Sequence, residues 1–102
     1  MAQPSALETG DVAAAMAADL HPDWDLVAGK LHRDIVLDNF AEAFAFMTEI
    51  AITAEKLDHH PEWSNVYNRV TIDLTTHDAG GITQLDLQLA SVIDAAVAKR
   101  TS

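Results

Sequence analysis

Three histidines and two carboxylates carry the chemistry this sequence offers. His59 and His60 are adjacent, Glu55 precedes them by about a helical turn, and Pro61 and Trp63 follow. His77 and Asp86 stand further along the chain. Imidazole has an ordinary pKa of about 6.5, so it can donate or accept a proton near neutrality. Two or three imidazoles beside a carboxylate can do both jobs in one site.

Each of these residues also has a plainer reading. Glu55 lies four positions before His59 on one helix face and can orient an imidazole or raise its proton affinity. On spacing alone it reads first as a solvated helix glutamate beside Lys56. Asp86 stands three residues after Thr83, the spacing of a capping box, which explains it without any catalytic role. Trp63 and Tyr67 can stack on a flat ligand, although aromatics near a helix end are more often core. Pro61 ends a helix and can fix the angle at which His60 leaves it. His21 and His32 read as solvated surface residues.

Three histidines raise the question of zinc, which catalytic sites often hold with three protein ligands. Adjacent His59 and His60 side chains diverge unless the backbone turns. The helix-borne H-E-x-x-H spacing is absent. Cysteine is absent as well, which removes thiolate zinc sites, disulfides and a cysteine nucleophile. Acid–base chemistry is the favoured expectation, with a metal site as the lesser alternative.

Charge narrows the partners. The formal net charge is -10, which disfavours phosphate backbones and anionic membrane surfaces. No apolar run approaches the roughly 20 residues that span a bilayer, and MAQPSALETG lacks the basic start and apolar stretch of a signal peptide. The reading is a soluble, cytoplasmic protein that binds neither nucleic acid nor membrane.

The elements that must position these residues follow from periodicity. The 102 residues, 49% of them hydrophobic, suffice for one small domain with a core, residues 1–6 being loose. Val12, Met16 and Leu20 mark a short first helix with Thr9 as its N-cap and Pro22 beyond its end. "WDLVAGKLHRDIVL", from Trp24 to Leu37, reads as a hairpin turning at Gly29-Lys30. Asp38 is the expected N-cap of a long helix. Its stripe runs through Phe40, Phe44, Met47, Ala51 and Ala54, widened by Phe46, Ile50 and Leu57. Val66, Tyr67, Val70, Ile72 and Leu74 are strand formers, and "HDAGG" is a turn. "TQLD" then opens the last helix, whose apolar side is Leu85, Leu89, Val92, Ile93, Ala96 and Val97. Lys99 and Arg100 fall in its last turn, where they complement the helix dipole. The fold expected is α+β and two-layered: a four-stranded antiparallel sheet with helices on one face, in the order helix-β-β-helix-β-β-helix.

With those residues in place, the chain resembles the pterin-4a-carbinolamine dehydratases. The resemblance rests on Glu55, His59-His60-Pro61, Trp63, Tyr67, His77 and Asp86, and on the stretches "AFAFMTEIAITAEKLDHHPEW" and "HHPEWSNVYNRVTIDLTTHDAGGIT". It covers Trp24 to Ile93. It implies dehydration of a 4a-hydroxytetrahydropterin to the quinonoid dihydropterin, without metal or organic cofactor, which restores the pterin used by aromatic amino acid hydroxylases. Carried over to this sequence, it implies His60 and His77 as the leading proton-transfer groups, with His59 positioning the substrate. Glu55 would tune an imidazole, Trp63 and Pro61 would line the pterin pocket, and Asp86 would support His77 or the loop. It also implies a homodimer or a dimer of dimers. Other roles known in the family are a protein-binding, coactivator-like role and one linked to molybdopterin.

Overall fold

A computed structural model describes residues 5–101. Along the chain run α1 (Thr9–Asp19), β1 (Asp25–Val27), β2 (Lys30–Val36), α2 (Phe40–Leu57), β3 (Glu62–Val66), β4 (Arg69–Leu74) and α3 (Gln84–Thr101). A one-turn 3-10 helix, His77–Ala79, lies between β4 and α3. The two hairpins join side by side into an antiparallel sheet of order β1-β2-β4-β3. This is the helix-β-β-helix-β-β-helix arrangement expected of the sequence.

Period-two patterning makes the sheet two-faced. Leu31 and Ile35 of β2 and Val70, Ile72 and Leu74 of β4 are buried. The alternating His32, Asp34, Thr71 and Asp73 are on the other face, which no helix among the described residues covers. On the buried side α2 contributes Ala43, Phe46, Ile50 and Ala54, and α3 contributes Leu89, Ile93 and Val97. Burying Phe46 alone is worth about 2–3 kcal/mol in removed apolar surface. Arg33 also points inward from β2. Its guanidinium donates to Asp94 Oδ1 of α3 at 2.5 Å, and the Trp24 indole N–H donates to the same oxygen at 2.7 Å.

Local detail departs from the sequence reading in several places. The long helix buries Ala43, Phe46 and Ile50, whereas Phe40 and Phe44 are exposed. Both aromatics lie on a side of α2 turned away from the core. The N-cap of α2 is Asn39 rather than Asp38, its Oδ1 accepting from the Glu42 amide at 2.9 Å. Thr9 is the first residue of α1, and Glu8 stands at the cap. The first hairpin turns at Ala28-Gly29, both at positive φ (52° and 77°), as a mirror-type two-residue turn requires. Of the segment expected to be loose, residues 1–4 lie outside the described residues. Just after it, the Leu7 amide donates to the Ile82 carbonyl at 2.8 Å.

Candidate active site

The C-terminus of α2 decides where the histidine pair goes. Asp58 takes the left-handed conformation (φ 51°), and its amide and that of His59 turn back to the Glu55 and Ala54 carbonyls. This is a Schellman closure, with an aspartate where glycine is commoner. The chain leaves the helix axis before His59, so the α2 face no longer predicts where the imidazoles point. His59 turns inward and is only 8% exposed. His60 turns outward, with a side chain 58% exposed.

Each imidazole then meets its own carboxylate. His59 Nε2 lies 2.5 Å from Asp86 Oδ1, His60 Nε2 lies 2.8 Å from Glu55 Oε1, and His77 Nε2 lies 2.6 Å from Glu62 Oε2. Among the described residues, no Nδ1 of the three bonds to the chain. Glu55 therefore partners His60, not the His59 that the helical spacing favoured. Asp86 partners His59 and not His77.

Asp86 is fully buried at the first turn of α3, and its oxygens serve the loop as well. Oδ2 accepts from the Thr83 amide at 2.9 Å, the expected capping bond, and from Thr76 Oγ1 at 2.8 Å. Capping and histidine contact are thus one arrangement. The Thr76 hydroxyl is also 2.8 Å from that of Thr83. These bonds fix the segment from which His77 projects, closed by Gly80 at φ 75°.

His77 begins the 3-10 turn, and its side chain is 74% exposed. Glu62, its partner, opens β3, and its other oxygen accepts from Lys30 Nζ at 2.5 Å. Lys30, and after it His77, holds the Glu62 carboxyl below the usual carboxylate range, and Glu62 raises Lys30 in return. Sequence reading missed Glu62 and Lys30. The signal available was the strand period, which puts Glu62 on the open face of the sheet, but β3 was expected to begin only near Val66.

The three histidines line one cleft of about 230 Å³ together with Asp58, Thr75 and Thr76. A larger groove of about 840 Å³ adjoins it, walled by Thr48, Ala51, Ile52, Glu55, Pro61 and Trp63. His60 belongs to both. The larger space has a mostly apolar wall with Glu55, Lys56 and His60 on it, whereas the smaller cleft gathers all three imidazoles. His21 and His32 lie elsewhere. The His21 amide bonds Asp94, and His32, on the open sheet face, bonds Asp73 at 2.9 Å. Among the described residues no group of three donors is placed to hold a metal ion, and no helix is long and apolar enough to cross a membrane.

A compact α+β domain with clustered imidazoles at one end of its sheet is the class this geometry defines. The family model for pterin 4 alpha carbinolamine dehydratase matches residues 5–96, and the chain belongs to that family, a family of hydro-lyases. A protein of Synechococcus sp. (strain WH7803) that carries a pterin-4-alpha-carbinolamine dehydratase name is 60% identical over 74 residues, 72% of this chain and 80% of its own. One of Solibacter usitatus (strain Ellin6076) with the same name is 61% identical over 75 residues, 74% of this chain and 79% of its own. The crystal structure of a transcriptional coactivator/pterin dehydratase from Brucella melitensis superposes with a TM-score of 0.85. It is 39% identical, with 91% of this chain and 99% of that one covered.

Proposed function

We propose that this protein dehydrates 4a-hydroxytetrahydropterin to quinonoid dihydropterin and water by histidine general acid–base catalysis. The observation that carries the reading is the shared cleft. Three imidazoles line it, each with Nε2 engaged by a carboxylate and with Nδ1 unbonded among the described residues. The chemistry needs such groups. Cleavage of the C4a–O bond expels hydroxide, a poor leaving group unless an acid delivers a proton to it. Loss of the N5 proton to a base completes the elimination, and its electron pair becomes the new C4a–N5 double bond.

His60 and His77 are the leading proton-transfer groups in this proposal, because both are exposed at the cleft. His59, nearly buried and tied to Asp86, positions the substrate. The pterin ring would extend from the cleft past His60 onto the apolar wall of Pro61 and Trp63. The proposed setting is cytoplasmic pterin recycling for aromatic amino acid hydroxylases, with no metal or cofactor required. Self-association into a dimer or tetramer belongs to the same proposal. The free edge of β3 and the exposed Phe40, Phe44 and Ile52 of α2 support it.

The deciding experiment follows the ultraviolet change as freshly generated 4a-hydroxytetrahydropterin becomes the quinonoid product. Wild type, His60→Ala and His77→Ala are compared with and without a chelator. Fast wild type, slow variants and no chelator effect are expected. A folded but inactive wild type would overturn the dehydratase reading and bring forward a coactivator-like binding role, which the Brucella protein's description also names. Activity lost to chelator would overturn the metal-free mechanism.

A further inference from the structure

The three imidazoles are not held alike. His59 is locked by burial, and His60 extends from a helix end against a Glu55 side chain that is itself 81% exposed. His77 is the most exposed of the three and starts a single 3-10 turn. Backbone alone does not choose a rotamer for an exposed imidazole, and leaving it free costs orientation when a proton must move.

What holds His77 comes from a different element. Glu62 is fixed in β3, with Asp73 of β4 as its register partner. Its carboxylate is forked, one oxygen on His77 Nε2 and the other on Lys30 Nζ. Lys30 opens β2, two strands away in the sheet order, and so reaches past β4 to make this contact. The carboxylate that holds the imidazole is thus anchored from a second strand.

We infer that Glu62, braced by Lys30, is a positioning residue that fixes the rotamer of His77 and leaves its Nδ1 facing the cleft. The inference rests on the reading of His77 as a proton-transfer group. Glu62 touches no substrate in this scheme and acts only through the imidazole. Glutamine retains an acceptor oxygen for the His77 N–H, whereas alanine leaves none. Methionine in place of Lys30 removes the brace and leaves the acceptor.

The test measures two things on full-length Glu62→Ala, Glu62→Gln, Lys30→Met and His77→Ala. Three-bond couplings across χ1 of a 13C,15N-labelled His77 report its rotamer without any reference to activity. Steady-state dehydration reports kcat and KM. In wild type the couplings should fit one rotamer. In Glu62→Ala they should average, with kcat down about tenfold and KM little changed. Glu62→Gln should recover most of the loss, and Lys30→Met should fall between it and wild type. Wild-type couplings in Glu62→Ala would overturn the inference, as would averaged couplings with an undiminished rate while His77→Ala is slow. A wild-type rate in His77→Ala would instead overturn the acid–base reading of that residue, and the couplings would still decide the contact.

Discussion

His59 and Asp86, 27 positions apart, meet through a 2.5 Å hydrogen bond in the interior, joining the end of α2 to the first turn of α3. The same carboxylate caps α3 and holds Thr76. Removing it leaves three donors without their acceptor in a buried place. Asp86→Ala should therefore destabilise the fold by about 3 kcal/mol, from lost capping and unsatisfied buried donors. Thermal unfolding followed by circular dichroism should show a fall of roughly 15 °C. A change of only a degree or two would mean that water satisfies those donors.

The three histidines should separate by stability. His59→Ala removes a nearly buried ring and strands Asp86, at a cost of about 2–3 kcal/mol. His60→Ala and His77→Ala alter exposed side chains and should stay within about 0.5 kcal/mol of wild type. Urea midpoints measure this directly. Equal losses at all three would show that His60 and His77 are held by more than their glutamates.

On the open sheet face, the hydrogen bond to Asp73 raises the pKa of His32 above its ordinary 6.5, with burial opposing and Asp34 adding to the rise. A raised folded value means the protonated ring stabilises. That contribution is complete below 6.5 and is lost as pH climbs through the higher folded value. The side chain is 27% exposed, so the effect is small. His32→Gln should lose about 0.5 kcal/mol relative to wild type near pH 5.5 and nothing near pH 8.5. Unfolding curves at the two pH values test it, and a gap that widened toward high pH would reverse the sign.

Asp58 occupies the left-handed cap of α2 at φ 51°. Glycine takes this conformation without the Cβ penalty, so Asp58→Gly should stabilise by about 0.5–1 kcal/mol. A raised urea midpoint with unchanged slope is the expected result. Destabilisation would reveal a contact of the Asp58 side chain that outweighs the backbone gain.

Much of this architecture was legible because it rests on periodicity. Strict alternation through Val70, Ile72 and Leu74 marked a two-faced strand, and the apolar side of α3 reads off directly. The T-x-x-D spacing found the cap that Asp86 makes with Thr83. What stayed hidden depends on where the chain turns. Helical spacing assigned Glu55 to His59, but the left-handed Asp58 rotates the histidine pair and gives Glu55 to His60. Phe40 and Phe44 looked like core because a helical stripe has no label for which side meets the sheet. Glu62 and Lys30 were out of reach because their contact crosses a strand whose register sequence alone did not supply.

The central ladder of the sheet joins β2 to β4, pairing Leu31 with Leu74 and Val36 with Arg69. All of α2 and β3 lies in the loop this ladder closes. Each hairpin can form with little entropy lost, but the ladder requires closing a long segment before its contacts repay the cost. Glu55, His59, His60 and Glu62 lie inside that loop, while His77 and Asp86 lie beyond it. The rim of the cleft is nevertheless local, because Glu62 pairs with Asp73 in the β3–β4 hairpin and so sets residues 58–60 beside residues 75–78. What the long-range ladder adds is Lys30, so the brace on the carboxylate that holds His77 requires the non-local closure, whereas the rim of the cleft does not.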